Sequence, residues 1–182
     1  MHSQKTFALA HRQHGVALVL ALVFLVILTI LGVAAMNSSN LQEKMAGNQK
    51  DRNLAFQATE TALVKGEYWI GSQTAMPIFD DSVTNDGLHH PSTTTTPRWD
   101  DSTSSNVWTG NDNATYSGLT KVSSQPKYII EDLGEIQDTG GSLSLPSNYK
   151  SSGKNLFRIT ARGKGGTDAA TVMVQSTYEK RF

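Results

Sequence analysis

The polar stretch over residues 71–125 contains six aspartates, whose carboxylates could bind a metal ion. They are Asp80, Asp81, Asp86, Asp100, Asp101 and Asp112. Carboxylate oxygens suit Ca²⁺, but these positions do not follow the twelve-residue spacing of a calcium-binding hand. The neighbouring His89 and His90 lack companion ligands at metal spacing, which favours a place on a loop surface. The pattern therefore indicates solvated carboxylates, and we expect neither a metal site nor a cofactor.

Catalytic chemistry finds no support in the sequence. Cysteine is absent, which excludes thiolate ligands, cysteine nucleophiles and disulfides. The sequence has no nucleophile elbow, no phosphate-binding glycine loop and no acid–base pair that can be placed in a cleft. Lys+Arg and Asp+Glu both number 16, and no basic patch carries interleaved aromatic residues, so nucleic acid is not an expected partner. We therefore predict that the protein is not an enzyme.

The most distinctive segment of the chain is an apolar stretch over residues 16–36, to which the rest of the chain is attached. It contains no charged side chain, and only Thr29 and Gly32 interrupt its apolar character. A helix of this length is about 31 Å long, which matches the hydrocarbon core of a bilayer. The hydroxyl of Thr29 can bond to a carbonyl of its own helix. The stretch therefore predicts a transmembrane helix.

Residues 1–15 form a basic leader that contains Lys5 and Arg12 and no acidic residue. Because basic flanks stay on the cytoplasmic side, the chain that follows the apolar stretch is expected on the other side of the membrane. The apolar run is too long for a secretory signal peptide, although residues 34–36 could be misread as its cleavage site. The leader therefore predicts that residues 16–36 stay in the membrane as an anchor, with the N-terminus on the cytoplasmic side.

Residues 37–70 continue as an amphipathic segment. Their apolar residues recur at three- or four-residue spacing and form a stripe over 41–69. This periodicity predicts one helix over about 16–70, roughly 80 Å long by its rise per residue. Gly32 and Gly47 each cost about 1 kcal/mol inside a helix and are the places where it could bend.

Residues 71–125 are rich in Ser, Thr, Asn, Asp and Gly and are too long for an ordinary connection. We expect a structured insertion or a functional surface loop, with short strands at best. A few apolar residues are expected to anchor it to a core: Trp99, Val107, Trp108, Tyr116 and Leu119. Trp99, Trp108 and Tyr116 could also stack on sugars, but anchoring is the commoner role of such residues.

The last segment, 126–182, has the pattern of a β-sheet. Runs rich in β-branched and aromatic residues predict strands over 127–131, 156–161 and 171–178. Phe157, Ile159 and Ala161 alternate with polar residues, which predicts one buried and one wet face. The glycine-rich residues 163–166 predict a hairpin turn between the second and third strands. An antiparallel sheet with one apolar face needs a cover, and the stripe over 41–69 is available, so we predict an α+β fold.

Four segments together resemble the type IV pilin-like family, and more closely its PilX minor pilins. They are residues 15–36, 41–63, 126–134 and 157–178. The run LQEKMAGNQKDRNLAFQA within the second segment is the most specific, because periodicity alone does not require those residues. The resemblance implies a long N-terminal helix packed on a C-terminal antiparallel sheet, with a long variable loop insertion. Residues 71–125 match no family pattern.

The resemblance also implies a processing site and an assembly helix. A prepilin peptidase would cleave after Gly15, leaving a methylated Val16 as the new N-terminus. The assembly helix would include Val16, Leu20, Phe24 and Gly32. Val16 stands where pilins usually have Phe, and Leu20 stands where most carry a Glu that neutralises the N-terminal amine of a neighbour. A subunit without that carboxylate suits a special position, such as a filament end. The paired C-terminal cysteines of the family are missing as well.

The resulting hypothesis is a minor pilin near the tip of a type IV pilus that promotes the start of assembly, in support of twitching motility and adhesion. Its expected partners are other minor pilins, the major pilin, a tip adhesin and the prepilin peptidase. Before assembly it would span the inner membrane once, with a cytoplasmic N-terminus and a periplasmic domain. After assembly it would lie at the pilus tip on the cell surface.

Two other hypotheses remain open from the sequence. A minor pseudopilin of a type II secretion system would have the same architecture, and its genetic neighbours would identify it. A single-pass, membrane-anchored periplasmic binding protein would have no role in a filament. The mass of such a protein would not change when prepilin peptidase is lost.

Overall fold

The computed structural model describes residues 15–81, 87–93, 95–100, 107–110, 112–136 and 153–182. The leader residues Lys5 and Arg12, and the aspartates Asp86 and Asp101, lie outside the described residues. The chain divides into two compact units, Met1–Gly47 and Asn48–Phe182. Each unit is described by itself below.

One helix, α1, spans Val16–Ser72 and contributes to both units. It ends two residues beyond the predicted end, and both Gly32 and Gly47 lie within it. Aliphatic residues and alanines dominate its first part, and no proline interrupts it. Apart from the turn residue Gly15, the described residues of the N-terminal unit therefore all belong to the helix.

Five strands form one sheet in the second unit. They are β1 (Leu88–His89), β2 (Ala114–Thr115), β3 (Lys127–Ile136), β4 (Lys154–Lys164) and β5 (Thr171–Lys180). The order is β1-β3-β4-β5, and β2 also pairs with β3. The three long strands are antiparallel, as predicted, while the short β1 runs parallel to β3 and makes the sheet mixed. A parallel pair needs a long connection, which the polar middle of the chain supplies. The predicted α+β class is confirmed.

The predicted hairpin between the last two strands is confirmed, but the turn predicted over 163–166 begins two residues later and ends four residues later. Gly163 and Lys164 belong to β4 and pair with Val172 and Thr171, so the connection is formed by residues 165–170. Gly163 is needed for close packing: a Cβ there would lie 2.6 Å from the hydroxyl of Thr59 and 2.8 Å from its backbone nitrogen. The glycine therefore allows the helix to lie against the strand.

Small residues of α1 make the contact with the sheet. The buried helix positions are Ala55, Ala58, Thr59, Ala62, Leu63, Gly66 and Ile70. Ala62, Leu63 and Ile70 belong to one core cluster with the fully buried Ile130, Phe157 and Ile159. The predicted stripe over 41–69 is wrong in its first part, because Leu41 and Met45 are 61% and 63% exposed. In its later part the prediction is confirmed, because the stripe alanines Ala55, Ala58 and Ala62 are buried.

The other face of the sheet is covered as well, by the polar middle of the chain. Val107 and Trp108 are buried against Ile129, and Trp99 and Met173 pack around them. The indole N–H of Trp108 donates to the carbonyl of Trp99 at 3.0 Å. The expectation of a wet face is therefore wrong at the centre of the sheet, where Thr160 has no exposed surface. The anchoring roles predicted for Val107 and Trp108 are confirmed.

A lysine from the last strand closes the end of α1. The ammonium of Lys180 donates to the carbonyls of Ile70 (3.0 Å) and Gly71 (2.7 Å), and also to that of Gln73. The last turn of the helix contains no basic residue of its own. A positive charge beside unpaired carbonyls at a helix C-terminus is stabilising. The C-terminal strand thus holds the end of the helix on the sheet.

Asp51 fastens the connection between β4 and β5 to the helix. Its carboxylate accepts hydrogen bonds from the backbone N–H (3.1 Å) and the hydroxyl of Thr167. The hydroxyl is the main reason why the pKa of Asp51 lies below its ordinary value of 3.8; burial opposes it, and the N–H groups of Thr167 and Gly166 add to it. Because the folded pKa is the lower one, this contact stabilises the fold above about pH 4–5 and is lost as the pH falls through the lowered pKa.

Candidate functional site

The first candidate site is the apolar helix surface, which we define as the part of α1 over residues 16–36. Its large apolar side chains are all exposed, Leu20 by 52% and Phe24 by 61%. The helix is long and apolar enough to cross a membrane, and none of its apolar window is buried inside the protein. A surface of this size needs an apolar environment. It can be covered by lipid or by other apolar helices.

The polar groups of this surface are satisfied within the helix. The hydroxyl of Thr29 donates to the carbonyl of Val26 at 2.7 Å, as the sequence predicts. Backbone groups inside a helix bond to one another, so water is not required there. The apolar helix surface therefore suits a bilayer or a bundle of similar helices.

The predicted processing junction lies at the start of this helix. Gly15 is an exposed turn residue directly before Val16, the first residue of α1. Its carbonyl accepts a 3.4 Å hydrogen bond from the N–H of Val19. A Cβ at Gly15 would meet nothing within 4 Å, so the fold itself does not require a glycine at this position.

The assembly positions predicted from the resemblance all lie on the apolar helix surface. Val16, Leu20 and Phe24 follow one another at four-residue spacing, which places them on neighbouring turns of one side. Gly32 lies eight residues beyond Phe24, and a Cβ there would meet nothing within 4 Å.

The described aspartates and histidines of the middle region are engaged in contacts within the protein. Within the described part of the chain, no group of three or more His, Asp or Glu side chains is arranged to hold a metal ion. Asp81 instead forms a 2.9 Å ion pair with Arg98.

The expectation that His89 lies on a loop surface is wrong. It is 1% exposed, because the pairing of β1 with β3 carries it into the fold beside Glu131. Its Nε2 lies 2.8 Å from the backbone carbonyl of Asp112. Since a carbonyl only accepts, Nε2 carries the hydrogen and donates. The neighbouring His90 is exposed, as expected.

The sequence analysis did not predict a buried ion pair between Glu131, the strand partner of His89, and Arg158. Glu131 has no exposed surface, and its Oε2 accepts a 2.8 Å hydrogen bond from Nε of Arg158. Its other oxygen has no hydrogen-bond partner among the described residues. The two residues are direct cross-strand partners of β3 and β4. The sequence does show an acidic residue in one predicted strand and a basic residue in the next. It does not show the pairing register, which places Glu131 opposite Arg158.

The aromatic residues that could stack on sugars are used inside the fold. Trp108 is 3% exposed, and the guanidinium of Arg162 lies 5.8 Å from the centre of its ring. Tyr116 packs against the core cluster on the helix side of the sheet. The rings are therefore anchors of the middle region.

Comparison with known proteins identifies the family. Residues 14–64 match the PilX N-terminal family model, and residues 80–180 match the model described as type IV pilus assembly protein PilX C-term. No curated protein and no solved structure matches the chain significantly. The two models match in chain order and cover most of α1 and the whole sheet. The chain belongs to the PilX family of type IV pilus minor pilins.

Proposed function

We propose that this minor pilin lies at or near the pilus tip and promotes the start of filament assembly. The family is a structural component of the pilus and not an enzyme family, and its members act together with other pilus proteins. This assignment favours a pilus subunit over a type II secretion pseudopilin or a solitary binding protein. The observation that carries the proposal is the apolar helix surface with Leu20 in place of a carboxylate.

The missing carboxylate limits where the subunit fits. In the family pattern, a Glu at the position of Leu20 neutralises the N-terminal amine of a neighbouring subunit. An unpaired ammonium inside an apolar bundle is expensive. A subunit with Leu20 cannot supply the partner for another amine, so repeated copies would accumulate this cost. A single copy at the filament end does not.

The apolar helix surface has two successive environments in this proposal. It first spans the inner membrane, with the N-terminus in the cytoplasm and the second unit in the periplasm. It then leaves lipid for the bundle formed by helices of other minor pilins and the major pilin. Lipid tails and helix side chains are similarly apolar, so the exchange depends on packing between helices. A tip adhesin is the proposed partner on the outer side.

Processing at Gly15 is tested by the intact mass of the protein. We expect the mass in wild-type membranes to correspond to a chain that begins at Val16, with a methyl group. In cells without prepilin peptidase, residues 1–15 should be retained. A full-length mass in both strains would contradict processing and would leave the apolar stretch as a simple anchor.

The role in initiation is tested by deleting the protein. We expect fewer pili per cell and reduced twitching, because fewer filaments start. A plasmid copy of the wild-type chain should restore both, whereas a copy that lacks residues 16–36 should not. Normal pilus number and normal twitching in the deletion strain would contradict the proposal.

A further inference from the structure

The last strand of the sheet, β5, has a free edge among the described residues. The strand order β1-β3-β4-β5 places it at one end of the sheet, and β4 is its only described strand partner. These two strands pair along the whole length of β5 without a register shift, whereas β3 and β4 have one between Asp132 and Gly134. The outer side of β5 is therefore a long and regular edge.

The backbone groups of every second residue of β5 point away from β4. The register of the two strands continues to Gly165 and Ala170, where the N–H of Gly165 donates to the carbonyl of Ala170 at 2.9 Å. In an antiparallel pair, bonded and non-bonded residue pairs alternate along the strands. The outward groups therefore belong to Thr171, Met173, Gln175, Thr177 and Glu179.

The sequence of this edge does not block the addition of another strand. Residues 171–178 contain no charged residue and no proline, and their pairing with β4 has no bulge. Natural sheets usually protect such an edge with lysine, proline or a bulge, because free N–H and C=O groups can pair with a further strand. The charged residues of β5, Glu179 and Lys180, lie only at its end.

An open groove lies beside the same edge, between α1 and β5. We call it the edge groove, and its lining residues are Val64, Glu67, Tyr68, Gly71, Ser72 and Tyr178. Its volume is about 550 Å³, and the side chains of Val64 and Tyr68 are 58% and 70% exposed. None of the described lining residues belongs to β4, so the groove opens on the outer side of β5.

The helix runs along β5, which places the edge groove where the side chains of an added strand would lie. The hydroxyl of Ser176 donates to the carboxylate of Glu67 at 2.7 Å, and Lys180 reaches the end of α1. Val64 and Tyr68 are four residues apart, which is about 6 Å along a helix. Neighbouring side chains on one face of a strand are about 7 Å apart. Two such side chains of an added strand can therefore cover both exposed residues.

We propose that β5 binds an extended segment of another pilus protein, which adds to the sheet as a further strand. Its backbone pairs with the outward groups of residues 171–179, and its apolar side chains lie in the edge groove. Main-chain hydrogen bonds give such complexes their affinity, and pockets for alternate side chains give them specificity.

The choice of partner follows from the family and from the packing of β5. The family acts together with other components of the pilus. The β5 strand of a second copy fits less well, because Val174 and Tyr178 already pack on the core of their own subunit and cannot fill the edge groove of another. The proposal does not depend on where in the filament the subunit lies.

The first test places the photoreactive residue p-benzoylphenylalanine at Thr177 of the full chain, in cells that assemble pili. Thr177 is exposed and its backbone groups point outward, so its side chain lies beside the added strand. We expect a crosslink to a different pilus protein, identified by mass spectrometry of the joined peptides. The same photoreactive residue at Thr115 is the control, because this exposed residue of β2 lies beyond β3 and should not give the product. A crosslink to a second copy, a crosslink within the same chain, or no crosslink would overturn the proposal.

A backbone variant tests whether the contact is strand addition. With the photoreactive residue at Thr177, Gln175→Pro removes one outward N–H, and proline is tolerated at an edge whose N–H faces away from the sheet. We expect the crosslink yield to fall about tenfold, since a hydrogen bond is lost and the ring obstructs the partner. Gln175→Ala is the matched control: it also removes the side-chain hydrogen bond to Thr160 but keeps the N–H, and should retain the crosslink.

A groove variant keeps the test decisive if Gln175→Pro fails to fold, which thermal unfolding in nonionic detergent would show. Tyr68→Glu places a carboxylate in the edge groove at an exposed helix position and should lower the crosslink yield at Thr177 severalfold. Tyr68→Phe keeps the ring and should leave the yield unchanged. Equal yields from Tyr68→Glu and Tyr68→Phe, or from folded Gln175→Pro and Gln175→Ala, would show that the partner does not bind as an added strand.

Discussion

At the scale of single residues, the Glu131–Arg158 pair shows how unequally two partners can be buried. The carboxylate of Glu131 is fully buried, whereas the side chain of Arg158 is 30% exposed. Water can therefore replace Glu131 as a partner of the guanidinium, but it cannot reach the carboxylate as easily. The cost of breaking a buried pair comes mainly from the charge that remains buried without a partner.

Arg158→Met should therefore destabilise the protein more than Glu131→Gln. We expect a loss of about 3–5 kcal/mol of unfolding free energy for Arg158→Met, because the carboxylate is left buried without its partner. Glu131→Gln should cost less, since water can solvate the remaining guanidinium. Urea unfolding of the full chain in nonionic detergent, followed by tryptophan fluorescence, measures the difference.

The matched control for this pair is Lys154→Met, which breaks the exposed ion pair with Glu179. Exposed pairs contribute about 0–1 kcal/mol, so the change should be small. Equal effects of Arg158→Met and Lys154→Met would show that burial does not determine the contribution of the Glu131 pair.

At the scale of elements, two glycines determine how closely α1 lies on the sheet. A Cβ at Gly66 would be 2.9 Å from Cγ2 of Ile159, and a Cβ at Gly163 would be 2.9 Å from the carbonyl oxygen of Ala55. Gly66 belongs to the helix and Gly163 to β4. Each element therefore has no side chain at the point where the other element comes closest. The contact at Gly163 is the more rigid one, because backbone atoms form part of it.

Gly163→Ala should destabilise the second unit by about 3 kcal/mol, at the upper end of the usual cost of overpacking. The added methyl group would force the helix and β4 apart at Thr59. Gly47→Ala is the control, since a Cβ there meets nothing within 4 Å and should gain up to about 1 kcal/mol of helix propensity. Thermal unfolding of both full-length variants checks the opposite signs, and a neutral Gly163→Ala would contradict this packing role.

At the scale of the whole molecule, the two units differ in what covers their apolar side chains. In the second unit, α1 covers one face of the sheet, and the segment around Trp108 covers the other. In the first unit, the described apolar side chains from Val16 to Met36 are exposed. The second unit therefore supplies its own core, whereas the first depends on a membrane or on other subunits.

Leu20→Glu should change how many copies of this subunit enter a pilus. The new carboxylate could neutralise the N-terminal amine of a neighbour, which would make repeated incorporation less costly. We expect severalfold more of this protein in sheared pili, measured by quantitative immunoblotting against the major pilin. Leu20→Gln, which is of similar size and uncharged, should leave the amount unchanged. An equal increase for both variants would show that charge at this position does not limit incorporation.

Local sequence patterns determined the helix and the long strands, because these elements form from residues that are close in the chain. The charge-free run over 16–36 predicts an apolar helix, because every side of a helix in lipid must be apolar. The alternation of Phe157, Ile159 and Ala161 with polar residues predicts a strand, because side chains on a strand point to opposite faces. The segments at both ends of the chain also carried the family resemblance, which the family models confirmed.

Only the tertiary structure decided which distant residues meet. The sequence does not reveal that Lys180 holds the end of α1, that Gly163 lies against Thr59, or that His89 enters the core through β1. It also predicts a wet face where Trp108 and its neighbours cover the sheet. These contacts depend on strand register and on the path of a long polar segment, which are set by packing across the whole unit. Periodicity shows only which side of a helix or strand is apolar. The segment around Trp108 has no regular structure, so its sequence carries no periodic pattern that would predict its packing on the sheet.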